Sequence, residues 1–284
     1  LLKQALCNYY QTVSENLLIT RGSDEAIDLL IRALCIPSKD RIAIQSPTFG
    51  MYAVCARLHA CEVFDIPLEI NADRFQWNTE SIIEQVRAQN CKIVFICSPA
   101  NPTGQVLPTQ QLLQLLESLE NQCVVVIDEA YAEYSQSSSA LALMQQFPHL
   151  VVLNTLSKAH ALAGARIGCV IANAELIAVL KACQAPYPIS KPSAELALQA
   201  FSEAALDSTK QHIAEVLTQR LWMIEKLSAL DNVLRVYQTD ANFILVQFRQ
   251  PEITYQALIE QGILVRNMAQ YPAINDCLRI SIGT

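Results

Sequence analysis

A lysine, an arginine and two hydroxyl groups stand close together in the chain, and their chemistry suits a phosphorylated carbonyl compound. Thr155, Ser157, Lys158 and Arg166 follow the apolar run at 150–153, which has the composition of a buried strand. A lysine leaving such a strand is partly desolvated, so its pKa falls and its amine becomes a nucleophile toward carbonyls. Serine and arginine bind phosphate. An amine beside phosphate-binding groups suggests pyridoxal phosphate, although a surface lysine at a strand-to-loop junction explains this segment alone equally well.

A second phosphate-binding element is predicted where a short strand gives way to a helix. The apolar strand 17–20 is followed by Gly22, which permits a tight turn, and by Ser23, a good N-cap for the helix. Free backbone N–H groups and the helix dipole favour an anion at such a helix start. Asp24 and Glu25 in the first turn also suit the dipole, so ordinary helix capping remains an alternative.

Two further turns present single side chains in a way that is typical of a ligand site. Two prolines and a glycine fix the loop 98–104, and Asn101 is its one amide side chain. Phe49, in the turn between a predicted strand and a predicted helix, could stack on a flat ring or serve as a core anchor.

Asp128 ends the buried strand 123–127, where a carboxylate is costly unless a cation meets it. A protonated pyridine nitrogen is such a cation. Tyr131, three residues later, could reach the phenolic oxygen of the same ring.

The composition excludes several classes of protein. The 284-residue chain is 52% hydrophobic and 17% charged with a net charge of −7, which excludes a disordered chain and argues against nucleic acid as a partner. No apolar run has the length of a membrane helix, and no signal peptide opens the chain. The ten cysteines form no C-x-x-C pair and the four histidines lack metal-ligand spacing. We therefore expect no membrane and no metal, and buried free thiols in the cytoplasm.

Strands and helices alternate over the first 180 residues, which predicts an α/β fold with a large three-layer domain around a mostly parallel sheet. A proline-rich segment at 185–192 is a candidate hinge, and the pattern of a smaller α+β domain follows it. We expect a large domain over 1–185 and a small domain over 186–284, with Arg266 and Arg279 at strand ends of the latter. Both ends look cut, since the chain begins inside a predicted helix and stops directly after a predicted strand.

Hydrophobic periodicity sets the predicted boundaries of these elements. In the small domain we expect helices at 194–205 and 208–230 and a strand at 263–266. In the large domain we expect a strand over 166–172, with Arg166 as its first residue.

Taken together, these segments resemble the fold-type I aminotransferases that depend on pyridoxal phosphate and, among them, the histidinol-phosphate aminotransferases. The resemblance extends over about residues 1–284. It rests on seven motifs in order and at the expected spacing, which are 21–27 (RGSDEAI), 46–52 (SPTFGMY), 97–104 (CSPANPTG), 128–131 (DEAY), 155–159 (TLSKA), 185–188 (APYP) and 277–280 (CLRI).

The resemblance implies roles for the residues that would touch the cofactor ring. Lys158 would bind pyridoxal phosphate covalently and carry the substrate α-proton, and Asp128 would keep the pyridine nitrogen protonated. Asn101 and Tyr131 would hydrogen-bond the phenolic oxygen. Phe49 would stack on the ring, where relatives commonly carry tyrosine.

The resemblance also implies how phosphate and substrate bind. The cofactor phosphate would lie at the helix start, held by the residues Ser23, Asp24, Ser157 and Arg166, with Thr155 as a weaker candidate. Arg266 and Arg279 would bind in turn the phosphate of histidinol phosphate and the carboxylates of glutamate or 2-oxoglutarate, and Asn242 would line the same pocket. The implied assembly is a homodimer.

Other functions compete with this one. An aromatic-amino-acid aminotransferase or a threonine-phosphate decarboxylase of the same fold would use the same Lys158 and Asp128, and the arginine pair does not separate amino transfer from decarboxylation. A non-catalytic binding module of this fold is disfavoured because Lys158, Asp128 and Arg166 are intact. A dinucleotide-binding oxidoreductase is excluded, because no G-x-G-x-x-G motif follows a strand.

Overall fold

The computed structural model of the protein describes residues 1–283. Its strands in chain order are β1 (Leu17–Thr20), β2 (Arg41–Ile44), β3 (Glu62–Asp65), β4 (Glu69–Asn71), β5 (Arg74–Gln76), β6 (Ile93–Cys97), β7 (Val124–Asp128), β8 (Leu150–Thr155), β9 (Gly168–Ile171), β10 (Val233–Val236), β11 (Phe243–Phe248), β12 (Arg266–Asn267) and β13 (Cys277–Ser281). Its α-helices are α1 (Leu2–Tyr9), α2 (Gly22–Leu34), α3 (Met51–Leu58), α4 (Thr79–Ala88), α5 (Thr109–Leu119), α6 (Ala174–Cys183), α7 (Lys191–Gln199), α8 (Glu203–Ser228) and α9 (Pro251–Glu260).

Seven strands form the large sheet, in the order β1-β9-β8-β7-β6-β2-β3. The neighbours from β8 to β3 pair in parallel, whereas β9 runs antiparallel to both β8 and β1. The predicted α/β fold with a mostly parallel sheet is therefore confirmed. Parallel pairing brings the carboxyl ends of β6, β7 and β8 to one edge, where Cys97 lies opposite Asp128.

Apolar side chains cover both faces of the large sheet and build three layers. Along β6, Val94 and Ile96 join the core that includes α4 and α5, while Ile93 and Phe95 join the core that includes α2 and α3. Side chains alternate between the faces of a strand, so a strand covered on both faces is apolar throughout. Each fully buried side chain of this kind contributes about 1.5–3 kcal/mol.

A separate small sheet is antiparallel, in the order β10-β11-β13-β12. Helices α8 and α9 pack against it over a core that includes Phe243 and Val246 of β11. In the pairing of β12 with β13, Arg266 lies directly opposite Arg279. The small sheet thus carries both arginines that the sequence analysis assigned to substrate.

The helices predicted at 194–205 and 208–230 form as α7 and α8, but both begin and end earlier in the chain than predicted. Helix α7 begins at Lys191 because Ser190 caps it and Pro192 is tolerated in the first turn, where its missing N–H costs nothing. Helix α8 begins after Ser202, whose hydroxyl accepts a hydrogen bond from the Ala205 N–H. The periodicity was correct, but the N-caps decided where the helices begin.

Two predicted strand boundaries were also wrong. The strand expected at 263–266 begins only at Arg266, as β12. The residues before it close the end of α9 instead, where the N–H groups of Gly262 and Ile263 donate to the carbonyl oxygens of Ile259 and Leu258. The strand expected from Arg166 begins at Gly168, because Arg166 has left-handed backbone angles (φ 54°, ψ 51°) that a strand cannot contain.

The sequence predicted Ser23 as the N-cap of α2, and this prediction was wrong. The helix begins at Gly22 with Arg21 as the N-cap, and the Arg21 side chain accepts no backbone N–H of the first turn. Glu25 takes part instead, since its carboxylate accepts the Arg21 backbone N–H at 2.7 Å and pairs with the Arg21 guanidinium at 2.8 Å. The Ser23 hydroxyl is therefore available for another partner.

Within residues 1–283, no helix combines the length and the apolar character that crossing a bilayer requires. The same part of the chain contains no cluster of three or more His, Cys, Asp or Glu side chains arranged to hold a metal ion.

Candidate active site

One cleft collects every predicted site residue except Asn242. It lies where the carboxyl edge of the large sheet faces β12 and β13 of the small sheet. The predicted residues that line it are Ser23, Asp24, Phe49, Asn101, Asp128, Tyr131, Thr155, Ser157, Lys158, Arg166, Arg266 and Arg279. The fold therefore joins groups that are far apart in sequence.

Lys158 stands just beyond β8, and its side chain is exposed to the cleft. Its Nζ lies 5.3 Å from the centroid of the Tyr131 ring. Desolvation by the cleft walls lowers the pKa of Lys158, and the positive charge of Arg279 lowers it further, while Asp128 acts in the opposite direction. A lowered pKa increases the fraction of unprotonated amine, which is the form that attacks a carbonyl.

Asp128 ends β7 and is only 2% exposed. Its Oδ2 accepts a hydrogen bond from the Tyr52 hydroxyl at 2.8 Å, and its Oδ1 accepts one from the Ala130 N–H at 3.1 Å. Burial raises the pKa of Asp128, although both hydrogen bonds favour the charged form. Among the ion pairs of residues 1–283 none includes Asp128. A buried carboxylate that lacks a protein cation suits a cationic group on a ligand.

The start of α2 rests directly on the start of β9, and two glycines make this possible. A Cβ at Gly168 would meet the backbone C of Gly22 at 2.6 Å and the N of Ser23 at 2.7 Å. A Cβ at Gly22, whose φ is +75°, would meet Arg166 Nη2 at 2.6 Å. The Arg166 guanidinium therefore lies over the first turn of α2, beside its uncapped N–H groups.

Arg166 also pairs with Asp24 in the first turn of α2, with Nη2 and Oδ2 separated by 2.9 Å. Both side chains are more than a third exposed, so the pair contributes little to stability. The guanidinium has further N–H groups for a second anion. Together with the helix N-terminus, it forms a positive concave surface of the kind that binds phosphate.

The hydroxyl groups of Thr155, at the end of β8, and Ser157, just beyond it, have different surroundings. Thr155 is buried, and its Oγ1 lies 2.9 Å from Ser157 Oγ and 3.1 Å from the carbonyl oxygen of Ile167. It also accepts the Ser157 N–H at 3.2 Å. These contacts orient Ser157, which is less buried and closer to solvent.

The two arginines of the small sheet form a strongly cationic wall of the cleft. Arg279 lies over the Phe243 ring at 5.0 Å, and its Nη1 donates to Asn101 Oδ1. Its Nε is buried and has no hydrogen-bond partner within residues 1–283. Like charges directly opposite each other on neighbouring strands, as in the pair with Arg266, are unfavourable unless an anion lies between them.

Phe49 lines the cleft, and its ring meets Tyr52 edge to face at 5.7 Å.

Asn242, which the sequence analysis placed in the substrate pocket, does not line this cleft. It is half-buried. Burial and the charge of Glu133 raise the pKa of the Tyr134 hydroxyl, and Asn242 lowers it.

Sequence reasoning missed several residues that line the cleft and one that lies behind it. Met268, Gln270 and Tyr271 follow β12 and line the cleft, but they stand in no strong motif. Tyr52 is fully buried behind Asp128. A signal for Tyr52 was available, because it stands only three residues after Phe49, in the first turn of α3.

The lining residues fit pyridoxal phosphate on three independent grounds. The buried carboxylate of Asp128 lacks a protein cation, which a protonated pyridine nitrogen would supply. The glycine-lined start of α2 leaves backbone N–H groups and the remaining N–H groups of Arg166 to bind a phosphate. Lys158 offers an amine of lowered pKa for the aldehyde carbon.

Comparison with known proteins first defines the class. The sequence profile described as aminotransferase class I and II matches residues 1–284, the full length of the chain. The chain belongs to this family.

Individual relatives and solved structures give a more specific comparison than the family profile. The chain is 48% identical over 283 residues to the histidinol-phosphate aminotransferase of Xanthomonas euvesicatoria pv. vesicatoria strain 85-10, covering 100% of this chain and 78% of that protein. The crystal structure of the histidinol-phosphate aminotransferase from Clostridium acetobutylicum superposes with a TM-score of 0.88 at 24% identity, covering 99% of this chain and 83% of that one. That of the Sinorhizobium meliloti enzyme, in complex with pyridoxal-5'-phosphate, also has a TM-score of 0.88, at 22% identity over 100% of this chain and 76% of that one. The two structures establish the shared fold.

Proposed function

We propose that the protein transfers an amino group between L-histidinol phosphate and 2-oxoglutarate, giving imidazole-acetol phosphate and L-glutamate in histidine biosynthesis. Pyridoxal phosphate is the cofactor. The observation that carries the proposal is that a lysine amine, a buried carboxylate and two facing arginines line one cleft. The curated relatives at 46–48% identity bear the name of this reaction and so support it.

Groups from several elements around the carboxyl edge of the large sheet hold the cofactor in this proposal. Its phosphate lies at the start of α2, bound by backbone N–H groups, the Ser23 and Ser157 hydroxyls and Arg166. Asp24 holds Arg166 in place, and Thr155 holds Ser157. The hydrogen bonds from these groups to the phosphate would be charge-assisted, and such bonds are about twice as strong as neutral ones.

The ring is held from its edge and its face. Asp128 accepts a hydrogen bond from the protonated pyridine nitrogen, and Asn101 and Tyr131 hydrogen-bond the phenolic oxygen. Phe49 packs on the ring face. Arg279, which donates to Asn101, links the ring to the substrate site.

Lys158 carries the proton in this proposal. When bound, pyridoxal phosphate supplies an acceptor for the electron pair of the substrate Cα–H bond. The Lys158 amine would remove that proton as a general base and hold it for its return, and its lowered pKa increases the fraction of unprotonated amine available for this step. The Tyr131 ring, 5.3 Å from Nζ, limits where the amine can stand.

Arg266 and Arg279 bind the anionic end of each substrate in turn. A planar guanidinium binds phosphate and carboxylate through two parallel N–H bonds, so one pair of arginines serves both ligands. The buried Nε of Arg279 is available as one donor.

We further propose how the chain is organised, assembled and located. The chain divides into a large domain over 1–185 and a small domain over 186–284, consistent with its two separate sheets. It acts as a homodimer. It works in the cytoplasm, a location that the free cysteines support, since all but Cys183 are buried thiols in residues 1–283.

The test is the absorption spectrum of the protein with pyridoxal phosphate. We expect a visible band that is lost in Lys158→Ala and kept in Lys181→Ala, which removes an exposed lysine of α6 outside the cleft. L-histidinol phosphate should remove the band, and 2-oxoglutarate should restore it.

Other outcomes contradict the proposal in distinguishable ways. Release of CO₂ from threonine phosphate, with no response to histidinol phosphate, identifies a decarboxylase. A response to phenylalanine or tyrosine that exceeds the response to histidinol phosphate identifies an aromatic-amino-acid aminotransferase. The absence of a band in the wild-type protein contradicts the cofactor assignment itself.

A further inference from the structure

Tyr52 touches the carboxylate of Asp128 but does not line the cleft. Its hydroxyl donates to Asp128 Oδ2 at 2.8 Å, and the residue is 0% exposed. The other carboxylate oxygen accepts the Ala130 N–H. Each oxygen of Asp128 thus has one protein donor, and a further lone pair remains for a group in the cleft.

The ring of Tyr52 is held on two sides. It stacks on Phe95 of β6, with centroids 4.9 Å apart and an angle of 14° between the planes. It meets the Phe49 ring edge to face at 5.7 Å. Core packing therefore fixes the hydroxyl relative to Asp128 and the Phe49 ring that lines the cleft.

We propose that Tyr52 is a positioning residue that holds Asp128 in the orientation and charge state needed to keep a proton on a heteroaromatic nitrogen in the cleft. The inference rests on the proposed function and deepens it. Tyr52 acts through Asp128 and touches neither substrate nor cofactor.

In this proposal Asp128 and the ring nitrogen compete for one proton. Burial raises the pKa of Asp128, and the Tyr52 hydrogen bond opposes this shift by favouring the carboxylate. Without the hydroxyl, Asp128 competes better for the proton, and the ring nitrogen loses positive charge. A less positive ring withdraws electrons less strongly from the reacting carbon.

The variant that tests this is Tyr52→Phe, which removes one oxygen and keeps the ring in place on Phe95 and in edge-to-face contact with Phe49. Tyr10→Phe is the matched control, because it also removes a buried tyrosine hydroxyl but lies outside the cleft. Both are measured as holoenzyme.

The first readout is the pH titration of the visible band in the absence of substrate. The band titrates as the Lys158 nitrogen, joined to the cofactor, gains or loses a proton. A positive charge on the ring opposes protonation of that nitrogen, so a ring that has lost its charge raises the pH at which the band titrates. We expect a shift of about one pH unit in Tyr52→Phe and none in Tyr10→Phe. An unchanged titration in Tyr52→Phe overturns the proposal.

The second readout is the split between kcat and KM. A hydrogen bond to a charged group corresponds to a factor of about 10 to 100, and we expect this loss in kcat with KM and cofactor affinity within about threefold. Equal losses in kcat and cofactor affinity indicate a merely structural role and overturn the proposal.

A double-mutant cycle with Asp128→Asn separates action through Asp128 from any other effect. Tyr52→Phe should cost nothing further in the Asp128→Asn protein. An additive loss contradicts the inference. If the wild-type protein forms the band but does not transfer the amino group of histidinol phosphate, the substrate assignment fails, whereas the band titration still tests Tyr52.

Discussion

The contact of Gly168 with the start of α2 predicts that one added methyl group will weaken cofactor binding. In Gly168→Ala the new Cβ would lie 2.6 Å from the backbone C of Gly22 and 2.7 Å from the N of Ser23, where ordinary contact begins at 3.4 Å. Backbone atoms cannot rotate away as a side chain can. The first turn of α2 must therefore retreat by several tenths of an ångström, and it carries the N–H groups assigned to the cofactor phosphate.

The expected size of the effect follows from packing and hydrogen-bond geometry. Adding a methyl group to a tightly packed site costs about 1–3 kcal/mol of unfolding free energy. A retreat of this size lengthens the hydrogen bonds from α2 to a bound phosphate and weakens them. We expect the dissociation constant of pyridoxal phosphate to rise about 10- to 100-fold, which corresponds to about 1.4–2.7 kcal/mol.

The assay is a titration of apoprotein with pyridoxal phosphate, followed by absorbance, together with thermal unfolding. Gly164→Ala is the matched control, because a Cβ there meets nothing within 4 Å and the two variants restrict the unfolded chain equally. If Gly168→Ala binds the cofactor within twofold of Gly164→Ala, the close approach of α2 to β9 does not set the phosphate site and the reasoning is wrong.

Two further predictions concern substrate binding and stability. Arg266→Ala should raise KM for histidinol phosphate about 10- to 100-fold, because one of two facing arginines is lost. Arg249→Ala, outside the cleft, should leave KM unchanged. Equal KM values for the two variants contradict the arginine assignment. Burial, helped by the charge of Glu129, raises the pKa of Glu133 to about 7, so its contribution to stability is present below the unfolded value near 4.3 and is lost as pH rises through about 7. Between pH 5 and 8 the unfolding free energy, from calorimetric melts, should therefore fall less in Glu133→Gln than in the wild type, by on the order of 1–3 kcal/mol. Parallel plots of unfolding free energy against pH for the two proteins contradict this.

The sequence alone determined which segments form the large sheet and which residues carry the chemistry. Lys158 and Asp128 each follow an apolar run, and Asn101 stands in a loop of prolines and glycine. These signals are local, because burial of a strand and rigidity of a turn depend on neighbouring residues. Parallel strands then bring their carboxyl ends to one edge, so the convergence of these three residues followed from the fold class.

Local signals were weaker where capping decides a boundary. The helices α7 and α8 begin at positions set by the hydroxyls of Ser190 and Ser202, and Glu25 takes the capping role that Ser23 was expected to have. Periodicity locates the apolar face of a helix but says little about its first residue, since the end turns are held by a few hydrogen bonds.

Only the tertiary structure decided which distant groups meet. The hydrogen bond from Tyr52 to Asp128, the approach of Gly168 to Gly22, and the register that puts one arginine of the small sheet opposite the other join separate elements. A tyrosine on an apolar helix face or a glycine at a strand start has many possible partners in sequence. The packing of whole layers selects one of them, because close-packed interiors accept few relative positions of a helix and a sheet.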